Sequence, residues 1–391
     1  MQQIAQKHLN KLNLLLENYR TTNDTFLKGK LGLIYYYSHL YKVTEAPALK
    51  CKTEDLIGEV FANINAGVPA LMGASLSSGG AGFGYALNAM SLQGFLQFEV
   101  NDELENLDEF LYRSALDLIA ADNFDFLHGA LGVVHYFTER MHTSPQVAVY
   151  LDSLIEKICL NAVEEDGGYW FKNSQIKIDG EDVISFGLSH GQCGIMLILL
   201  NAYAHSAHKE LIRKIITGGI HFILKHKIDI DFSLNEYSFF PFIMKSDARE
   251  ISAPNRMGWC YGDLNEVLLL YRAGKMFNDD NLIMLADLIG VQSMMRQDEN
   301  ATMVISSGFC HGASGVAQFC KTLYDERGLE QYRKGYEYWI ERTIILLEEE
   351  LPQNVYAGKE GDMLEGAIGV AFTLLSYVSE HELNWSKAFL L

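Results

Sequence analysis

Proline is scarce, with six in 391 residues, so little in this backbone interrupts long helices. Cysteine is equally sparse, at positions 51, 159, 193, 260, 310 and 320, too thin a set for a disulfide scaffold. Those thiols read instead as buried core groups, metal ligands or nucleophiles in a reducing compartment. Basic residues are the minority, 31 against 50 acidic ones. The resulting net charge of −19 has the wrong sign for nucleic acid or an anionic membrane surface. No segment approaches the roughly 20 apolar residues that span a bilayer; the densest, GIMLILL from Gly194, stops at Asn201. The opening MQQIAQKHLNKLN also lacks the apolar core of a secretion signal. These absences predict a cytoplasmic protein that is not an integral membrane protein and does not bind nucleic acid. With 49% apolar residues the chain can bury a large core.

What is abundant is one short turn. A small or polar residue, Gly, two residues, usually Gly again and then an apolar run recur seven times. The copies are KGKLGLIYYY from Lys28, SGGAGFGYAL from Ser78, HGALGVVHYF from His128, HGQCGIMLIL from His190, YGDLNEVLLL from Tyr261, HGASGVAQFC from His311 and EGAIGVAFTL from Glu365. Their first glycines, at 29, 79, 129, 191, 262, 312 and 366, are separated by steps of 50, 50, 62, 71, 50 and 54. A step near 50 holds two helices of about 12 to 18 residues and two connections, and each turn opens a run of helical periodicity.

The motif helices are apolar almost all round, as helices buried on every side must be. The segments between them, Asp102–Ala121, Gln146–Glu165, Lys209–Lys227, Asn281–Met295 and Leu329–Leu351, are amphipathic. The pattern predicts one domain over residues 1–391: an all-α toroid of seven inner helices, each followed by an outer one. An open α-solenoid also stacks helix pairs. Closure is favoured because an open array of buried inner helices leaves an apolar end exposed. Glycine at each helix mouth is expected to permit positive φ on entry and close helix approach.

Two steps exceed 50, and the surplus falls in two places. From Gly167, GGYWFKNSQIKIDGEDVISF alternates around an Asp-Gly turn and reads as a β-hairpin. From Ile228 to Arg256 runs a loop without helical pattern. Long loops beside a site commonly act as lids or substrate walls.

If the motif glycines are equivalent, the residues just before them face one space on the ring axis. One position before stand Lys28, Ser78, His128, His190, Tyr261, His311 and Glu365; two before stand Leu27, Ser77, Leu127, Ser189, Cys260, Cys310 and Leu364. Cys260 and Cys310 share one offset a repeat apart, with His311 adjoining. Two thiolates and an imidazole form a three-ligand Zn²⁺ set with a fourth position open, the arrangement of catalytic zinc. The alternative is two core cysteines and a satisfied histidine. Cys51, Cys159, Cys193 and Cys320 sit at apolar helical positions and are assigned to packing. His128 is either a supporting residue or a polar cap, and Asp125 is by default a solvated turn residue.

The sequences RMGWCYG from Arg256, CHG from Cys310 and SHG from Ser189, with the sevenfold GxxG pattern, resemble the LanC-type lanthionine synthetases along nearly the whole chain. The resemblance implies an α/α toroid with one catalytic Zn²⁺ on Cys260, Cys310 and His311. It also implies addition of a precursor-peptide cysteine thiol to dehydroalanine or dehydrobutyrine, closing thioether rings. By motif position, His190, Asp125, Arg256 and Tyr261 match the family's catalytic residues, with His128 and Trp259 as candidate substrate contacts. The partners implied are a dehydrated precursor peptide of leader plus core, a separate dehydratase, since no dehydratase-sized region precedes the toroid, and an exporter complex. The fifth copy departs from the pattern, carrying Asn265 at the second glycine.

A free cysteine has a pKa of about 8.5, so zinc supplies the missing thiolate. The enolate formed by attack needs an α-carbon proton, expected from His190 oriented by Asp125, while Arg256 offsets the negative charge of a third thiolate. Two related readings keep the metal: addition of glutathione to dehydroamino acids, and a zinc-stabilised peptide-binding scaffold without turnover. A carbohydrate-processing toroid, which needs a carboxyl pair, finds only Glu365 and Asp125.

Overall fold

The computed structural model describes residues 1–67, 71–96, 100–246 and 250–391. The chain opens with α1 (Gln2–Asn18). Helix pairs follow: α2 (Lys30–Thr44) and α3 (Pro47–Asn65), α4 (Gly80–Leu92) and α5 (Asn101–Ala120), α6 (Ala130–Arg140) and α7 (Pro145–Leu160). Next come α8 (Gln192–Tyr203) and α9 (Lys209–Lys225), then α10 (Leu264–Phe277) and α11 (Asp280–Ser293). A one-turn α12 (Glu299–Thr302) precedes α13 (Ala313–Arg327) and α14 (Glu330–Glu350), and α15 (Ala367–Val378) ends the series.

Each motif turn opens an inner helix: α2, α4, α6, α8, α10, α13 and α15. Successive inner helices touch, and α15 packs back on α2, so the array is a closed ring rather than an open solenoid. Their first turns are buried on all sides; in α8 every residue from Gln192 to Leu200 is buried. Outer helices bury one face only, as in α9, where Ile212, Ile215, Ile216, Ile220 and Ile223 point inward. The seventh outer helix breaks the expected order. No outer helix follows α15; α1, from the other end of the sequence, packs on α15 and α14 instead.

Residues after α15 turn into the ring. A 3₁₀ turn, Trp385–Phe389, stacks Trp385 on Phe372 of α15 at 4.6 Å. Its backbone is held by Tyr35 on the Trp385 carbonyl (3.3 Å), Trp259 Nε1 on that of Phe389 (2.9 Å) and Arg272 Nη1 on that of Leu390 (2.8 Å). The turn therefore ties α2, α10 and α15 together from inside.

The glycines serve close approach, not handedness. At six mouths the first glycine is the N-cap in an extended conformation, φ between −109° and −141°. A Cβ on Gly191 would lie 2.4 Å from the Ser185 carbonyl oxygen, and one on Gly194 only 1.9 Å from that of Leu188. Only the fifth copy uses positive φ, at Gly262 (+117°). There Asn265, fully buried, replaces the second glycine. Its Oδ1 accepts from Leu188 N (3.0 Å) and its Nδ2 donates to the Trp259 carbonyl (3.1 Å), bonding the fourth mouth to the fifth beside Cys260.

The two insertions prove to be one structure. The segment expected to remain helical to Glu165 ends at Leu160, and β1 (Val163–Glu165) pairs with β2 (Gly168–Trp170) around Asp166 and Gly167, both at positive φ. The expected Asp-Gly hairpin is β3 (Lys177–Ile178) with β4 (Glu181–Ser185), turning at Asp179 and Gly180. The second insertion is not a bare loop: it supplies β5 (Ile243–Lys245) and β6 (Ile251–Ser252), which extend the sheet in the order β3-β4-β5-β6. Part of that insertion, 247–249, lies outside the described residues.

Candidate metal centre and active site

Backbone hydrogen bonds join neighbouring helix mouths at six of the seven junctions of the rim. Leu27 N donates to Ser77 O (3.0 Å), Ser77 N to Leu127 O (3.0 Å), Leu188 N to Cys260 O (3.0 Å) and Trp259 N to Cys310 O (2.9 Å). Phe309 N donates to Leu364 O (3.0 Å), and Met363 N to Leu27 O (2.7 Å) joins the seventh mouth to the first. Residues at equal offsets from the glycines are thereby brought to one end of the ring.

On this rim the donor atoms of Cys260, Cys310 and His311 all lie within 4.8 Å of one another, the one such trio among the described residues. Cys310 Sγ is 3.5 Å from His311 Nε2. A tetrahedral zinc with bonds of about 2.3 Å to sulfur and about 2.0 Å to nitrogen sets those atoms roughly 3.6 Å apart, so the donor set fits. His311 Nδ1 donates to Glu365 Oε1 (2.9 Å), which fixes the tautomer and leaves the Nε2 lone pair toward the sulfurs. Both thiols are buried, and His311 is half-buried. Without a metal, hydrogen bonds to Cys260 and Glu365 push the His311 imidazole up to about 9. Burial raises the Cys260 thiol, but its bonds to Cys310 and His311 outweigh that and draw it down.

Beside the trio stand His190 and Asp125. The Asp125 side chain is wholly buried, and every lone-pair direction is used. Oδ1 accepts from Leu127 N (2.9 Å) and His128 N (2.8 Å), while Oδ2 accepts from His190 Nδ1 (2.7 Å) and Asn173 Nδ2 (3.2 Å). Asp125 is therefore no solvated turn residue. Burial alone would raise its pKa, but the His190 bond and charge hold it below its ordinary value. Burial lowers the His190 imidazole, and Asp125 more than restores it, so His190 retains a proton above its ordinary range. The His128 ring lies parallel to His190 at 6.0 Å, with Nδ1 3.1 Å from Ser77 Oγ; burial depresses its pKa. Two imidazoles at equivalent offsets thus have opposite tendencies.

Tyr261 stacks on Phe242 of the insertion at 4.6 Å, and burial pushes its phenol up to about 12. Arg256 is partly buried in the loop entering Cys260, and its Nε is buried with no hydrogen-bond partner among the described residues. No hydrogen bond or ion pair among the described residues joins Arg256 to the trio. Trp259 corrects the sequence reading: it is 0% exposed, its Nε1 is bonded to the Phe389 carbonyl, and it packs on Phe309 and Phe389. It supports the cysteine loop from beneath and is no substrate contact. Cys51 is a second correction, since it is exposed, whereas Cys159, Cys193 and Cys320 are buried.

The sequence of the lanthionine synthetase C-like protein family matches residues 5–390. The chain belongs to that family. Among solved structures, one described as nisin cyclase superposes with a TM-score of 0.76 at 18% identity, covering 99% of this chain and 96% of that one. At that identity the likeness shows the fold, the toroid of a lanthipeptide cyclase. An unsaturated glucuronyl hydrolase specific for heparin matches at a TM-score of 0.44 and 10% identity over 89% of this chain and 97% of its own. Comparison with curated protein sequences finds no match. Among the described residues of this lanthionine synthetase C-like chain, no helix is long and apolar enough to cross a membrane.

The sequence alone assigns no supporting role to three residues that hold the site together. Glu365 carries a readable signal, since it occupies the offset of His311 one repeat later. Asn265 was visible only as an irregularity. Asn173 belongs to the insertion, outside the repeat, where no offset could point to it.

Proposed function

We propose that this protein is a zinc-dependent cyclase that adds cysteine thiols of a dehydrated precursor peptide to dehydroalanine or dehydrobutyrine, forming lanthionine rings. The observation that carries the reading is the convergence of Cys260, Cys310 and His311 on a rim that also presents the His190–Asp125 pair. Cys260, Cys310 and His311 would hold a zinc ion, which would supply the Lewis acidity that keeps a peptide sulfur as thiolate at neutral pH.

The rest falls to the side chains. A new bond joins sulfur to the β-carbon, the C=C π pair moves toward the carbonyl, and the α-carbon then takes a proton. His190 is the donor: Asp125 holds its Nδ1–H, which leaves Nε2 to deliver the proton and recover one from solvent. The unpaired Arg256 Nε is a donor for the peptide carbonyl, and Tyr261, held by Phe242, orders the opposite wall. His128 lines the same space as a substrate contact. The dehydrated residues come from a separate dehydratase, the finished peptide passes to an exporter, and the work takes place in the cytoplasm, where the thiols stay reduced.

The test compares metal content and ring closure in the wild type and Cys310→Ala. Stoichiometric zinc and thioether formation, both lost in the variant, are expected. A wild type that purifies without zinc from zinc-replete medium, or a variant that keeps both properties, overturns the reading.

A further inference from the structure

Six junctions of the mouth rim are bridged by direct main-chain hydrogen bonds, whereas the third mouth meets the fourth through the insertion. Ser174 N donates to Asp122 O (3.0 Å) just ahead of the third mouth, which anchors the start of the hairpin there. The adjacent Asn173, 7% exposed, then reaches both mouths with one amide nitrogen. Its Nδ2 donates to Asp125 Oδ2 (3.2 Å) and to the His190 main-chain carbonyl (2.9 Å). Its Oδ1 accepts from Gln175 N (3.1 Å), so the amide orientation is fixed by three bonds.

We propose that Asn173 is a positioning residue for the His190–Asp125 pair, and that holding this pair in register is a function of the β-hairpin insertion. The proposal rests on His190 being the proton donor named above, and it adds the group that sets where and how firmly the proton is held. Two amide hydrogens occupy two different acceptors, one on each partner of the pair. Without them the His190 main chain loses its tie to the third mouth, and the carboxylate loses one of two donors on Oδ2. Among the described residues no hydrogen bond joins Asn173 to the cysteine trio, so its removal leaves the proposed metal ligands in place. The charged and titratable groups facing His190 are Asp125 on the third mouth, His128 at 6.0 Å and Cys260 on the fifth mouth. None of these is altered by a change at 173.

The experiment uses full-length zinc-loaded protein with Asn173→Ala and Asn173→Leu, the second keeping the volume while deleting both donors. Three readings are taken: zinc per chain, kcat and KM for ring closure, and the His190 imidazole titration by ¹⁵N NMR. Both variants are expected to keep their zinc and KM and to lose about tenfold or more in kcat, a fraction of what a general acid contributes. In both, the His190 titration moves upward, because a carboxylate with one donor fewer holds the imidazole proton more strongly. If Asn173→Leu matches the wild type in kcat and titration, side-chain volume alone matters and the proposal is overturned. If the wild type closes no ring, the functional reading fails, and the NMR titration still decides whether Asn173 controls His190.

Discussion

Replacing Asp125 by Asn keeps the shape of the side chain and reverses the sense of two hydrogen bonds. Oδ1 can still accept from Leu127 and His128, at 2.9 and 2.8 Å. At Oδ2, however, an NH₂ group would face the His190 Nδ1–H at 2.7 Å and the Asn173 amide at 3.2 Å, donor against donor. His190 must then give up its Nδ1 proton, present Nε2–H to the cavity and lose the anion that held its charge. Losing a charge-assisted bond and stranding a buried donor should cost about 2–4 kcal/mol of stability, read by urea unfolding at pH 6. The pH signs follow from the two shifts. His190 is raised, so its contribution is complete below its ordinary 6.5 and is lost as pH rises through its higher folded value. Asp125 is lowered, so its contribution is complete above its ordinary 3.8 and is lost as pH falls through its lower folded value. In Asp125→Asn burial is opposed only by the Cys260 charge, and the His190 pKa should fall. Ring closure, followed by mass shift after thiol alkylation, should drop roughly 10²–10⁴-fold in kcat, and its alkaline limb should move to lower pH. Unchanged kcat, or a limb that stays in place, would refute the assignment of His190 as donor.

Other perturbations test other parts of the structure. Glu365→Ala removes the bond that orients His311 and should weaken zinc about 10–100-fold in a competitive chelator titration, while the fold and the His190 titration stay intact. Gly194→Ala, whose Cβ would lie 1.9 Å from the Leu188 oxygen, should destabilise the protein by about 3 kcal/mol in urea unfolding. Gly358→Ala meets nothing within 4 Å and differs only in carrying φ +78°, so about 1 kcal/mol is expected. Trp259→Phe loses the bond to the Phe389 carbonyl and should lower stability by roughly 1–2 kcal/mol without changing KM for peptide; a raised KM would restore Trp259 as a substrate contact.

The toroid and the convergence of Cys260, Cys310 and His311 were legible because both are written in the repeat. Paired glycines mark six of the seven inner helices, and equal offsets place Cys260 and Cys310 side by side before any coordinates are known. What lay outside the repeat was not legible. Helix α1 lacks the turn, so its closure against α15 had no local signal. The pairing of β4 with β5 joins residues some sixty positions apart through main-chain bonds that leave no mark on either segment. Offset also gives position without direction: Trp259 precedes Cys260, yet its side chain turns down into the core. Glycine is ambiguous for a related reason. Sequence shows that Cβ is absent but not whether dihedral freedom or space demands it, and at six mouths it is space. Asp125 took its importance from four donors converging in three dimensions, one of them from the insertion.

The central claim is that three protein ligands leave one position on zinc for a substrate sulfur. X-ray absorption at the zinc edge, recorded before and after addition of a cysteine-containing dehydrated peptide, measures it directly. The account predicts two sulfur neighbours in the free protein and three with peptide bound. A coordination shell that the peptide leaves unchanged, or one already complete with four protein donors, would contradict it.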